Sequence, residues 1–546
     1  MKTYDYVIVG AGSAGCVLAD RLSEDGRSTV LILEAGGKAR NPIYGLPMMA
    51  GHLFQQKANN WFYHTEEQPH LHHRRVFIPR GKMVGGTFIF NGMVYIRGQS
   101  QDYDGWAQLG NRGWSFAEVL PYFKKAEQHE SGASELHGAD GPLIVSRAVS
   151  SNPLFKAFID AGIEAGFGYN QNFNGDSQAG FGRYDFTIKN GRRWNSASAY
   201  LQPALKRKNV EIISGAHVTK LTIKDRRVTG VEFKQGALAR SVSANREVVL
   251  CAGVINTPQI LLLSGIGHQD ELQRLGITVH HHLPGVGKNL QDHTAAMLAF
   301  VCREPVSLVR DLRLDRFIWQ LAKAMVGRRG PVSQSALGAG CFLTIGSDAT
   351  SPNAQGYFMP IYPNGARLSI PFLTKIRNAE TGPTFALKVG PTRPESRGYV
   401  SLGINDPFAP PLIQPLYFSD ERDLVITREA VKVMRHVISQ KSFDLYRGIE
   451  LVPGPGVQSD DEIDSWCRGA VSTVHHAVGT SKMGHDAMSV VDDQLRVHGM
   501  AGLRIVDASI MPLLISGNTN AATIMIAEKA ADMIRSRFPL TAMAGR

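Results

Sequence analysis

Residues 4–37 constrain the fold more than any other stretch of the chain. An apolar run from Tyr4 to Val9 enters Gly10-Ala11-Gly12-Ser13-Ala14-Gly15, and a helix-compatible segment then leads to a second apolar run that ends at Glu34. Strand, glycine turn, helix and strand in this order build a parallel α/β unit in which each part has a physical task. Gly10 permits the tight strand-to-helix turn, Gly12 lets the backbone come close to a pyrophosphate, and Gly15 lets the helix pack against the strand. Free N–H groups in the first helical turn, at Ser13 and Ala14, face the phosphate charge. Glu34, about 20 residues past the glycines and followed by Ala35, is placed to accept hydrogen bonds from a ribose diol. A glycine turn alone is common, but one with strand, helix and acid in register points to an adenine dinucleotide site.

A chain of 546 residues is too long for one core and should form two or more lobes. Its 43% hydrophobic and 20% charged content is that of an ordinary globular protein. The net charge of +11 raises a nucleic-acid or anionic-membrane reading, with basic clusters at His70–Arg75 and Lys206-Arg207-Lys208. No nucleic-acid module accompanies these clusters, so they read as solvated surface; a peripheral membrane contact stays open. The five cysteines are scattered and odd in number, which argues against a disulfide framework or a zinc site and suits a reducing compartment. The first strand starts almost at Met1, and no apolar run reaches the roughly 18–20 residues of a membrane span. The expectation is a cytoplasmic protein.

Strand-like alternation returns at 210–235, and Glu247-Val248-Val249-Leu250 leads through Cys251-Ala252-Gly253 into an apolar helix. Residues 294–465 differ, with Pro and Gly punctuating short candidate strands; a strong strand then reappears at Leu503–Asp507, before a long helix from about Thr519. Gly81–Thr87 is glycine-rich and is expected to open a helix. The pattern predicts an α/β fold: a Rossmann-like nucleotide domain assembled from residues 1–150, 205–295 and 470–546. A second domain, an antiparallel sheet backed by helices, takes 151–204 and 296–469.

Several blocks together resemble the glucose–methanol–choline (GMC) oxidoreductases, which bind FAD. They are Gly81–Gly86 with Asn91–Gly98, Gly253 with Thr257–Gly267, Gly285–His293, His476 with Gly479-Thr480, Asp507-Ala508-Ser509, and Gly517–Asn520. The likeness runs from Tyr4 to about Arg535. It implies FAD contacts at Gly85 and Gly86, at Asn91, Gly92, Met93 and Val94, at Val218 near adenine, at Asp507 and Ala508, and at Asn518 and Thr519. Thr87-Phe88-Ile89-Phe90 replaces the small residues usual beside the flavin, so two phenylalanines are expected to narrow the site. Some members attach FAD through a histidine just before the asparagine; Phe90 stands there, so the resemblance implies non-covalent FAD.

The resemblance further implies oxidation of a primary alcohol or polyol to the aldehyde by hydride transfer to the flavin, with a quinone-type carrier or dioxygen as final acceptor. A hydroxynitrile lyase or a peroxide-forming oxidase on the same scaffold is the alternative. Histidine suits the base, since its ordinary pKa of about 6.5 lets it accept a proton near neutrality. Spacing alone does not choose between His475 and His476; the resemblance favours His476, with Asn520 orienting the substrate oxygen. Asn518 and Asn520 also suit the start of a helix. No metal is expected.

Overall fold

The computed structural model describes residues 2–328, 330–363 and 382–538. The opening unit forms as the sequence requires: β1 (Thr3–Val9), α1 (Ser13–Ser23) and β2 (Val30–Glu34). Every residue of β2 is buried, as expected of a strand covered on both faces. Further along come α2 (Pro153–Glu164), β3 (Gly180–Arg183), β4 (Val210–Ser214), β5 (Ala216–Lys224), β6 (Arg227–Gln235), β7 (Leu238–Leu250) and α3 (Gly253–Leu263). The remainder contributes β8 (Thr294–Cys302), β9 (Ala339–Leu343), β10 (Ala354–Met359), β11 (Thr384–Pro391), α4 (Glu421–Ile438), β12 (Arg447–Val452), β13 (Leu503–Ile505) and α5 (Asn520–Arg537).

The first sheet runs β4-β2-β1-β7-β6-β5, with β13 joined to β7. Its central pairings are parallel, with Val7 opposite Leu31 and Val248, and Val248 opposite Leu503. Strands from the two ends of the chain thus lie side by side. Helices α1 and α5 pack together, and Arg21 donates twice to Glu528 at 2.8 Å to tie them.

The second sheet, β12-β8-β11-β10-β9-β3, is antiparallel throughout. Helix α4 backs it: Leu424, Thr427, Ala430, Val431, Met434, Val437 and Ile438 recur at helical spacing and are all buried. On the other face Met297, Lys388 and Tyr357 stand in one row across β8, β11 and β10. The sheet's strands come from 180–183 and 294–452, so β8 begins two residues before the expected domain boundary at 296.

One local expectation fails. Gly81–Thr87 does not open a long helix but leads to a single 3₁₀ turn at Gly86–Ile89. Gly85 and Gly86 both take positive φ (+100° and +56°), and Met93 follows at +61°; a left-handed backbone cannot continue an α-helix. The five cysteines are all buried and unpaired. No helix among the described residues is long and apolar enough to cross a membrane.

Candidate active site

A cavity of about 900 Å³ runs between the two sheets, from the β1–α1 turn to the row of side chains on the second sheet. The three glycines of the turn behave differently. Gly10 has φ +102°, and a Cβ there would press on the carbonyl of Cys251; a Cβ on Gly15 would collide with the carbonyl oxygen of Gly10. Gly12 lines the cavity, with no protein atom within 4 Å of where its side chain would begin. Its bareness therefore serves whatever enters the cavity, while that of Gly10 and Gly15 serves the turn itself. Gly12 caps α1 without any side-chain hydrogen bond, so the first-turn N–H groups remain available to an anion.

Glu34 is fixed by two backbone donors, Ala11 N–H at 2.9 Å and Gly36 N–H at 2.8 Å, and lines the same end of the cavity. Burial raises its pKa. Ser13, Ala14, Ala35, Gly86, Asn91, Gly92, Met93, Val94, Val218, Asp507, Ala508, Asn518, Thr519, Asn520 and His476 all line the cavity as well. Asp507 is held by Gly253 N–H, the Thr257 hydroxyl and Ser509 N–H. Gly15 and Gly85 do not line it. Gly85 instead donates to the Ala11 carbonyl at 2.7 Å and so docks one glycine loop on the other. An acid at the end of β2, uncapped helix N–H groups and a bare Cα suit an adenine dinucleotide along this wall.

The two expected asparagines are placed differently from their expected roles. The Asn518 amide Nδ2 donates to His476 Nε2 at 3.0 Å, whereas the Asn520 oxygen accepts from the Ser13 hydroxyl at 2.6 Å. Asn520 is the first residue of α5, so its side chain is carried towards the glycine turn and away from the imidazole. The pairing of Asn520 with His476 is therefore corrected: the histidine's neighbour is Asn518. Gln355 Nε2 and the Tyr357 hydroxyl donate to the Asn518 oxygen at 3.2 and 3.4 Å, which turns its amide nitrogen to the histidine.

His476 is fixed on three sides. Its backbone N–H donates to Asp292 at 2.8 Å, a carboxylate that also takes the hydroxyls of Tyr417 and Thr473. His293 Nε2 lies 2.8 Å from the Thr392 carbonyl, so that nitrogen carries the proton and His293 Nδ1 accepts. His476 Nδ1, 2.9 Å away, must then be the donor. This leaves His476 Nε2 as an acceptor on the cavity wall, where it takes the Asn518 amide hydrogen. Burial, and then the neighbouring His293, His475 and Arg80, hold its pKa well below 6.5, so the ring is neutral at neutral pH.

His475 has φ +69°, which turns its ring onto Phe54 at 5.0 Å. Arg80 donates to its carbonyl. Of the two phenylalanines expected beside the flavin, only Phe88 lines the cavity; Phe90 packs away from it against Phe54 and the cluster around Tyr44 and Leu53. Asp292, His293, Arg80, Gln355 and Lys388 were not anticipated. Asp292 and His293 lay within the quoted Gly285–His293 block, whereas nothing local marked the others.

The whole arrangement matches known proteins. Two GMC oxidoreductase family models cover residues 4–295 and 394–527. The oxygen-dependent choline dehydrogenase of Rhizobium etli is 43% identical over 544 residues, spanning 98% of this chain and 96% of that protein. The enzyme of the same name from Cronobacter sakazakii is 42% identical, with the same coverage. Among solved structures, pyridoxine 4-oxidase from Mesorbium loti superposes with a TM-score of 0.86 at 31% identity, covering 97% of this chain and 98% of its own. Formate oxidase from Aspergillus oryzae reaches 0.91 at 26% identity, covering 98% and 99%. The chain belongs to the GMC oxidoreductase family. It is an FAD-type flavoprotein oxidoreductase acting on a CH–OH donor.

Proposed function

We propose that this protein oxidises a small alcohol to the aldehyde, with FAD held non-covalently, His476 as the base and Asn518 holding the substrate oxygen. The observation that carries this reading is the order of contacts at His476: Nδ1 meets His293 at 2.9 Å, and Nε2 meets the Asn518 amide at 3.0 Å on the cavity wall. Bound FAD supplies the two-electron acceptor for the hydrogen leaving the carbinol carbon. The chain's own residues do the rest. An alcohol hydroxyl that displaces the direct Asn518–His476 hydrogen bond donates to His476 Nε2 and accepts from Asn518 Nδ2. As the carbon is oxidised the hydroxyl proton passes to Nε2, and the amide stabilises negative charge on the oxygen. Gln355 and Tyr357 keep that amide from rotating.

Gly12, the first turn of α1, Glu34 and Asp507 would hold the dinucleotide, with Asn520 and Ser13 joining the two chain ends beside it. The burial of Phe90 in apolar packing supports non-covalent attachment, since no nucleophile stands at that position. Electrons would leave to a quinone-type carrier or to dioxygen, and a cytoplasmic setting fits the five free thiols.

Mixing the holoenzyme anaerobically with alcohols and following the flavin band tests the reading, because an oxidoreductase bleaches and a lyase stays yellow. His476→Ala should remain yellow and bleach roughly a hundredfold or more slowly, the scale of a lost general base. Asn518→Ala should slow bleaching as well, whereas Asn520→Ala should mainly lower flavin content. Normal bleaching in both His476→Ala and Asn518→Ala would remove the pair from the mechanism.

A further inference from the structure

The substrate end of the cavity contains a charge that no described residue answers. Lys388 lies on β11, between Met297 of β8 and Tyr357 of β10, and all three side chains line the cavity. Among the described residues its ammonium has no hydrogen-bond or ion-pair partner, and its surroundings are largely apolar: Met297, Met359, Leu337, Ile361 and Phe54. Burial lowers its pKa, the sign of a cation short of compensation. A second cation, Arg80, is buried beneath the histidine pair and also lines the cavity.

Among the described residues no carboxylate lines this end; Asp292 lies behind His476 and is taken by Tyr417, Thr473 and the His476 N–H. The acidic residues lining the cavity among the described residues are Glu34 and Asp507, both at the dinucleotide end and both already bonded to the backbone. An aromatic face for a cation is also lacking at Trp61, because the Lys82 ammonium already sits 4.3 Å from its ring centre. A quaternary ammonium alcohol would therefore meet like charge from Lys388 with no described carboxylate lining the cavity beside it, in a setting where such repulsion is poorly screened.

We propose that the preferred substrate is an alcohol carrying a carboxylate, with Lys388 receiving the carboxylate while the hydroxyl end reaches Asn518 and His476. This rests on the alcohol-oxidising reading above and narrows its substrate class. Tyr357 links the two ends, standing beside Lys388 in the sheet while its hydroxyl bonds to Asn518. The chain thus differs in substrate charge from relatives that are named for choline, itself a quaternary ammonium alcohol.

Two measurements on the FAD-loaded protein test this. Calorimetric titration with butyrate and with butyltrimethylammonium reads charge preference without turnover. Anaerobic bleaching by γ-hydroxybutyrate, n-butanol and choline reads it with turnover. Wild type should bind butyrate roughly tenfold or more tightly than the cation, as one charge-assisted hydrogen bond allows. Lys388→Met should erase that preference and weaken γ-hydroxybutyrate relative to n-butanol, and Lys388→Arg should restore both. Tighter binding of butyltrimethylammonium by wild type, or choline bleaching at lower concentration than γ-hydroxybutyrate, would overturn the anion site while leaving alcohol oxidation standing. Lys388-dependent butyrate binding without bleaching by any alcohol would do the reverse.

Discussion

His476 can act as a base because another histidine decides where its proton sits. With His293 committed to the Thr392 carbonyl, the two Nδ1 atoms can share only one hydrogen, and that hydrogen belongs to His476. Replacing His293 with Leu removes the acceptor that faces His476 Nδ1. Flavin reduction should slow by roughly tenfold, a modest part of a general base's contribution. The acid limb of kcat/KM should also move to lower pH, since the protonated ring loses the acceptor that favours it. His293→Gln, which can still accept from one side and donate to the other, should recover most of the rate. A purely structural role would move stability and leave the pH profile in place. The histidine was legible from its motif, but its partner was not. Asn518 and Asn520 are two residues apart, both polar and both suited to a helix start, and only the direction in which α5 begins separates them.

At the scale of elements, the glycine turn was readable because its reasons are local. The collision at Gly15 arises within one strand–turn–helix unit, so residue spacing alone exposes it, whereas the one at Gly10 is with Cys251 beyond β7. The same geometry separates two substitutions that look alike on paper. Gly15→Ala drives a methyl into the Gly10 carbonyl and should cost roughly 1–3 kcal/mol, read as a lower melting temperature of the protein. Gly12→Ala meets no protein atom, so apoprotein stability should hold while the flavin content of purified material falls. Equal melting points and equal flavin in both variants would contradict this division. The second sheet hid its purpose for the opposite reason. A single lysine among the apolar residues of β11 reads as the solvent side of a strand, and only the distant strands β8 and β10 reveal that this side faces a cavity. Gly81–Thr87 misled for a related reason: glycine-rich turns before apolar residues suggest a helix, but Gly85 and Gly86 take positive φ where the loop docks on Ala11 and Gly12.

Across the whole molecule, burial of neutral histidines sets an acid limit. His293 is pushed down to about 4, and His475 and His476 well below 6.5, mainly by burial. These groups stay unprotonated in the fold but take up protons once unfolded. The stability they allow is therefore present above pH 6.5 and lost progressively as pH falls towards 4, at up to about 1.4 kcal/mol per pH unit for each ring. Glu34 and Asp292, whose pKa values burial raises, act in the opposite direction and offset part of this loss at the acid end. Thermal melts across this range check the trend; a melting temperature that rises on acidification would refute it. The α/β class and the joining of distant segments were visible in the order of motifs, because each parallel strand announces itself by a continuous apolar run. Which faces of the two sheets enclose the cavity was not visible, since that depends on how separate units meet. The bond between Ser13 and Asn520 has a consequence for biosynthesis. A growing polypeptide that has not yet emitted its closing helix lacks both the clasp on the coenzyme's cradle and the amide that addresses the base, so no partly made chain can turn over, and the yellow colour and the catalyst should arrive together.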